Sequence, residues 1–154
     1  PDGPGAQDPA ARAAFLKWLF YLSNTIHADL RAAFFSHRYV TDQAAVPALR
    51  AGLAARLRQH LELVDGVLGS AGWLIASTPT LADFYLAICL RWALLYPAGE
   101  PLIALEEVPA RIQALLKLVE NRPAVIKAFA DELITGRALT APMPPALPPE
   151  EVAG

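Results

Sequence analysis

Cysteine and unbalanced charge are both scarce in this chain of 154 residues, and each scarcity removes a class of function. The single cysteine, Cys89, excludes an internal disulfide framework and a cysteine-ligated zinc site. Thirteen Lys and Arg stand against fifteen Asp and Glu, giving a formal charge of −2. That balance offers neither the basic stripe of a nucleic-acid binder nor a polybasic membrane patch. Long apolar runs are missing too. The central one is interrupted by Asp83 and Arg91, leaving Phe84 to Leu90, far below the ~20 residues a membrane-spanning helix needs. The opening Pro1-Asp2-Gly3-Pro4-Gly5 has no targeting pattern and no initiator Met, which reads as a fragment or processed piece of a cytoplasmic protein.

β-branched residues are the last scarcity: Val, Ile and Thr together number 21, against 30 Ala and 24 Leu. Helix formers dominate, so the fold class is all-α. Apolar spacing divides the chain further. Residues 1–9 are mostly Gly, Pro and Asp with little to bury and read as a linker. Phe15, Leu19, Leu22, Ile26, Leu30 and Phe34 lay one apolar stripe along a long helix. After a turn over 36–45, Leu49, Leu53, Leu57, Leu61, Val64 and Leu68 lay a second, with Pro47 near its start and Gly69 and Gly72 at its end. The two stripes are expected to pack as an antiparallel pair. Residues 81–96 are apolar on every face and predict the buried central helix of a bundle, ended by Pro97-Ala98-Gly99. Shorter helices are expected over 109–120 and 123–134, separated by Pro123 and stopped by Gly136. The helical unit then spans 10–136 as a five- to six-helix bundle. The Pro-rich tail of 137–154 is expected to be extended and loosely packed, its PxxP spacings notwithstanding.

Thr80-Leu81-Ala82-Asp83 is the sharpest local signal. The Thr80 hydroxyl is expected to accept from the Asp83 amide, and the Asp83 carboxylate from the Thr80 amide, forming a capping box closed by Asp. Pro79 and Phe84 stand at hydrophobic-staple positions. Cys89, inside the apolar helix, reads as a small inert hydrophobe. His27, His37 and His60 show no mutual ligand spacing, so no metal site is expected.

Taken in order, Trp73-Leu74, Thr80-Leu81-Ala82-Asp83-Phe84-Tyr85-Leu86, Leu90-Arg91-Trp92 and Asn121-Arg122-Pro123 resemble the C-terminal domain of cytosolic glutathione transferases. Lys17-Trp18-Leu19 with His27, and Leu90-Arg91-Trp92, look most like the bacterial beta-type members. Small departures are Ala76, where many members have Gly, and Phe20, Thr25 and Ala28 at positions where beta-type members contact glutathione. The family places a thioredoxin-like domain with the catalytic group before this bundle, and no such pattern precedes residue 10.

The resemblance implies no catalytic residue within this chain. It implies instead a substrate-binding and dimer-forming half that holds an apolar electrophile for attack by glutathione bound elsewhere. The residues it points to are Ser23, Asn24, His27 and Arg31 on the first helix and Trp92 on the central one. Ser23, His27 and Arg31, four apart, share one face. A homodimer through residues 15–68 is implied as well, with Phe20, Tyr21, Phe34, Phe35 and Tyr39 too many aromatics for one stripe to bury. The alternatives are a non-catalytic interaction module of the same fold, and an unrelated bundle sharing only the capping chemistry.

Overall fold

A computed structural model describes residues 8–144; most of the expected linker and the last part of the tail lie outside them. The described residues contain helices and no strands. Helix α1 (Pro9–Tyr21) starts inside the expected linker, because Asp8 caps it by accepting from the Ala10 amide and Pro9 fits the first turn. It runs into α2 (His27–Phe34) through a π-helical segment, Leu22–Ile26, without leaving helical backbone angles.

That segment corrects the first stripe. The His27 amide bonds to the Leu22 carbonyl, five residues back, so the rod turns less per residue there. The buried line becomes Trp18, Leu22, Ile26, Leu30 and Ala33, with Leu19 only half-buried. Ser36 closes the C-terminal end of α2 by donating to the carbonyls of Ala32 and Ala33.

Helix α3 (Val46–Val67) buries Leu53, Leu57, Leu61 and Val64 as its spacing predicts. It lies antiparallel to the first rod. Tyr21 touches His60 while Asp29, further on, touches Arg56, so the two chain directions oppose. Gly72 in the following loop has φ +81°, and a Cβ there would stand 3.1 Å from Leu118. Only glycine meets both demands.

Helix α4 (Leu81–Leu95) packs against α1, α2 and α5 (Ala110–Glu120), and buries Ala82, Leu86, Cys89, Leu90 and Ala93. Burial pushes the Cys89 thiol up to about 12, which leaves it protonated and inert. The expectation of a helix covered on every side is only partly met: Leu81 is 62 % exposed, and Tyr85, Ile88 and Trp92 on the same stripe are half-buried. No helix among the described residues is long and apolar enough to cross a membrane.

The capping box forms at the start of α4. Its hydroxyl is used differently from the expectation: Thr80 Oγ1 donates to Asp83 Oδ2 at 2.9 Å, while the Asp83 amide donates to the Thr80 carbonyl at 3.1 Å. The Thr80 amide donates to the same carboxylate oxygen at 2.6 Å. A further donor was not expected. The Leu74 amide reaches Asp83 Oδ1 at 2.7 Å, tying the preceding loop to the helix.

Helix α6 (Pro123–Asp131) follows α5, and Arg122 before it stacks its guanidinium 5.8 Å from the Phe84 ring centre. The tail departs from the expected loose packing over its first residues. Ala138 and Leu139 are buried, and Arg91 of α4 donates to the carbonyls of Ala138 and Met143. Glu120 holds the same stretch: Oε1 accepts from the Leu139 and Thr140 amides at 2.7 and 3.1 Å, and Oε2 from the Thr140 hydroxyl at 2.6 Å.

Burial pushes the Glu120 carboxyl up, but those three bonds, with Arg137 nearby, outweigh it and hold the group below its ordinary value. A carboxyl lowered on folding contributes stability that is present above its unfolded pKa, about 4.3. That contribution is lost as pH falls through the folded value. Residues 138–140 are therefore expected to come away from α5 in acid before the bundle unfolds. Hydrogen exchange at the Leu139 and Thr140 amides, corrected for intrinsic rate, should show protection falling below about pH 4. Constant protection down to global unfolding would contradict it.

Candidate functional site

Where α2 crosses the C-terminal half of α4 the surface opens into a cleft of about 540 Å³. Its walls are mostly apolar: Trp92 and Tyr96 from α4 and its end, Phe34 and Phe35 from α2, and Pro97-Ala98 beyond. Two polar side chains, His27 and Arg31, complete it.

The local sequence explains why these groups meet. His27 is the first residue after the π segment, and Arg31 follows it by one turn on the same face. Trp92 sits one turn before the end of α4, and Tyr96 caps that end with its amide on the Trp92 carbonyl. The His27 ring lies 5.1 Å from the Trp92 ring, tilted by 48°. Phe34 and Tyr96 meet edge to face at 6.0 Å.

The His27 ring is held from behind. Its Nδ1 lies 2.6 Å from the Tyr85 hydroxyl, and the two rings are near perpendicular. Burial, with Cys89 beside it, pushes the Tyr85 phenol above its ordinary value, so it keeps its proton throughout the neutral range. At the rim, the Arg38 guanidinium lies 5.0 Å from the Phe35 ring centre.

Of the residues implied from sequence, His27, Arg31 and Trp92 therefore come together in one cleft. Ser23 and Asn24 do not line it. Ser23 Oγ lies 3.1 Å from Asn24 Oδ1 and 3.3 Å from the Phe20 carbonyl, within the π segment itself. The cleft runs from His27 towards the C-terminal end of α2, so Ser23 and Asn24, a turn earlier, lie outside its lining. Sequence reasoning missed Tyr85, Phe34 and Tyr96. Their spacing on α2 and α4 carries no cleft signal, though Tyr85 lies two turns before Trp92 on the exposed stripe.

A second polar cluster lies between the two rods. Tyr21 donates to or accepts from His60 Nδ1 at 2.7 Å, His60 Nε2 stands 3.4 Å from Asp29 Oδ2, and Arg56 reaches the same carboxylate at 3.2 Å. It ties α1, α2 and α3 together.

Residues 43–118, which cover α3, the capping box, α4 and most of α5, match the family model described as "Glutathione S-transferase, C-terminal domain". The helical unit is a glutathione S-transferase C-terminal domain. Two curated relatives are bacterial. The chain is 30% identical over 106 residues to glutathione S-transferase GST-4.5 of Xanthomonas campestris pv. campestris, which covers 69% of this chain and 51% of that protein. It is 30% identical over 122 residues to glutathione S-transferase GstA of Escherichia coli O157:H7, covering 79% and 54% respectively. The chain thus spans about half the length of the curated relatives it matches. No solved structure gives a significant match. The glutathione S-transferase model includes Trp92 but stops short of His27 and Arg31, which lie N-terminal to residue 43.

Proposed function

We propose that this domain is the substrate-binding half of a glutathione transferase, and that the cleft between α2 and α4 holds an apolar electrophile. Glutathione would be the co-substrate, with its thiolate generated by a thioredoxin-like half. The observation that carries the reading is the cleft itself: an indole, a phenol and two phenyl rings around one open space, with His27 and Arg31 on its edge. Such a surface contributes binding and orientation of a flat apolar partner, not proton transfer. The relatives' names supply the reaction class. Ser23 and Asn24, standing on the adjoining turn, would meet the thiol side of the bound pair. A cytoplasmic setting fits this chemistry.

The test is direct. Trp92→Ala should weaken binding of 1-chloro-2,4-dinitrobenzene to the chain about tenfold, measured by equilibrium dialysis, because it removes the largest apolar wall. The chain alone should not accelerate the reaction of that compound with glutathione. The only thiol it carries is the buried Cys89, and the resemblance places the thiol-activating group in the thioredoxin-like half. Unchanged binding in Trp92→Ala, or turnover by the pure chain, would refute the assignment.

Two-fold self-association belongs to the same proposal. Phe20 is 58 % exposed on α1, and Leu63 and Val67 are about half exposed on α3, leaving apolar side chains in water on the first two rods. Tyr21 and Phe34 are excluded from that surface, since one bonds His60 and the other packs on Tyr96. Phe20→Glu is expected to shift the sedimentation of the chain from dimer towards monomer. A monomer at all concentrations in both forms would remove the dimer from the account.

A further inference from the structure

We infer that the cleft is selective for apolar ligands carrying an anionic oxygen group, a carboxylate above all, which His27 Nε2–H and Arg31 hold at its edge. The inference rests on the reading of the cleft as a ligand site and adds the chemistry of the group it prefers.

The charge distribution is the first ground. Arg31 lines the cleft, is exposed, and has no carboxylate within ion-pair distance among the described residues. Arg38 adds a second cation beside the Phe35 wall. No Asp or Glu lines the space. Two acids close in sequence to the lining are occupied elsewhere: Asp29 by Arg56 and His60, and Glu100 by Arg50 at 2.6 Å. An apolar pocket edged by unpaired cations, with no acid to neutralise them, attracts organic anions over neutral bodies of the same shape.

The second ground is the tautomer of His27. A phenol is the stronger hydrogen-bond donor and a bare imidazole nitrogen the stronger acceptor, so the 2.6 Å contact is best made by the Tyr85 O–H donating to Nδ1. The ring proton then resides on Nε2. Nothing among the described residues bonds Nε2, and unlike His60 Nε2 it is not sealed from solvent. His27 thus offers the cleft a donor, not an acceptor. Tyr85 acts through His27 and is a positioning residue: it fixes which nitrogen carries the proton and the plane in which the ring stands. A donor and a cation one helical turn apart on the same face match the two oxygens of a carboxylate.

The experiment compares naphthalene-2-carboxylate with naphthalene-2-carboxamide, which share the ring body and differ in charge. Binding is followed by NMR on the 15N-labelled chain, reading the Trp92 indole and the His27 ring nitrogens. The carboxylate is expected to bind about tenfold more tightly than the amide. Arg31→Gln should reduce that preference to within about twofold. Tyr85→Phe should move the His27 ring signals from the Nε2–H form towards a mixture of tautomers and lower the preference severalfold. A merely structural role for Tyr85 would leave both ring signals and preference alone, and would overturn its part in the inference. Equal affinity for the two compounds, or a preference that survives Arg31→Gln, overturns the charge selectivity while leaving the cleft as a ligand site. Binding of neither compound at Trp92 overturns both.

Discussion

Asp83→Ala is expected to unfold or nearly unfold the domain. The carboxylate is fully buried and accepts from the Thr80 amide, the Thr80 hydroxyl and the Leu74 amide. Alanine leaves all three donors without a partner in a place water does not reach. At about 1–3 kcal/mol for each unsatisfied buried group, the loss comes to roughly 3–6 kcal/mol. Native domains hold only about 5–15 kcal/mol in total, so this is a large share. Thr80→Ala removes one bond and should cost about 0.5–2 kcal/mol. The double substitution should cost less than the two added, because both side chains serve one box. Urea titrations of the three variants measure this, and full additivity would show that Thr80 and Asp83 act separately. The Leu74 bond makes Asp83 more than a cap: it is the joint between the 68–80 loop and the central helix.

The second large effect is expected from Arg91→Leu. Arg91 is buried within α4, and its guanidinium donates to the Ala138 and Met143 carbonyls while lying 5.7 Å from the Phe129 ring centre. Leucine keeps bulk but offers neither donor nor charge. Hydrogen bonds from a charged group are worth about 1.5–3 kcal/mol each, so a loss of roughly 2–4 kcal/mol is expected, part of it recovered as water reaches the exposed Met143 end. The visible consequence is release of the tail. Limited proteolysis should cut residues 133–144 faster in the variant than in the parent chain, with the helices before α6 still protected. A cleavage rate unchanged by the substitution would mean that the tail is held by Glu120 alone. Arg91→Lys should fall between the two, since one ammonium does not span both carbonyls.

These two residues also show where sequence reading succeeds and where it stops. Thr80 and Asp83 are three apart at a helix start, and a box of that spacing is legible because its geometry is local. The Leu74 donor, nine residues back, follows only from the path of the intervening loop. Leu53, Leu57, Leu61 and Val64 were legible as a buried line because α3 keeps regular helical spacing throughout. Leu19 was misplaced, and Trp18 took its position, because a π turn leaves no trace in apolar periodicity. Arg91 reads as an interruption in an apolar run until the tail is seen folded over it. Ala138 and Leu139 look like part of a proline-rich tail until Glu120, some twenty residues earlier, is seen holding them.

The candidate site divides in the same manner. His27, Arg31 and Trp92 were reached through resemblance to a family, and the cleft gathers those three. Ser23 and Asn24 are implied by the same resemblance and stand one turn earlier, outside the lining of the cleft. In sequence Tyr85 is one position of the Thr80–Leu86 motif. Its role behind His27 depends on a contact 58 residues apart in sequence, which no spacing rule reaches.

The central claim is that the cleft between α2 and α4 is where this glutathione S-transferase domain takes an apolar ligand. Its three tryptophans allow a single measurement to decide. Trp18 and Trp73 are buried in the bundle, and Trp92 alone lines the cleft. Titrating the 15N-labelled chain with naphthalene and following the three indole N–H signals should shift Trp92 saturably while Trp18 and Trp73 stay in place. Saturable shifts at Trp18 or Trp73 with Trp92 unmoved, or no saturable shift at any indole, would contradict the account.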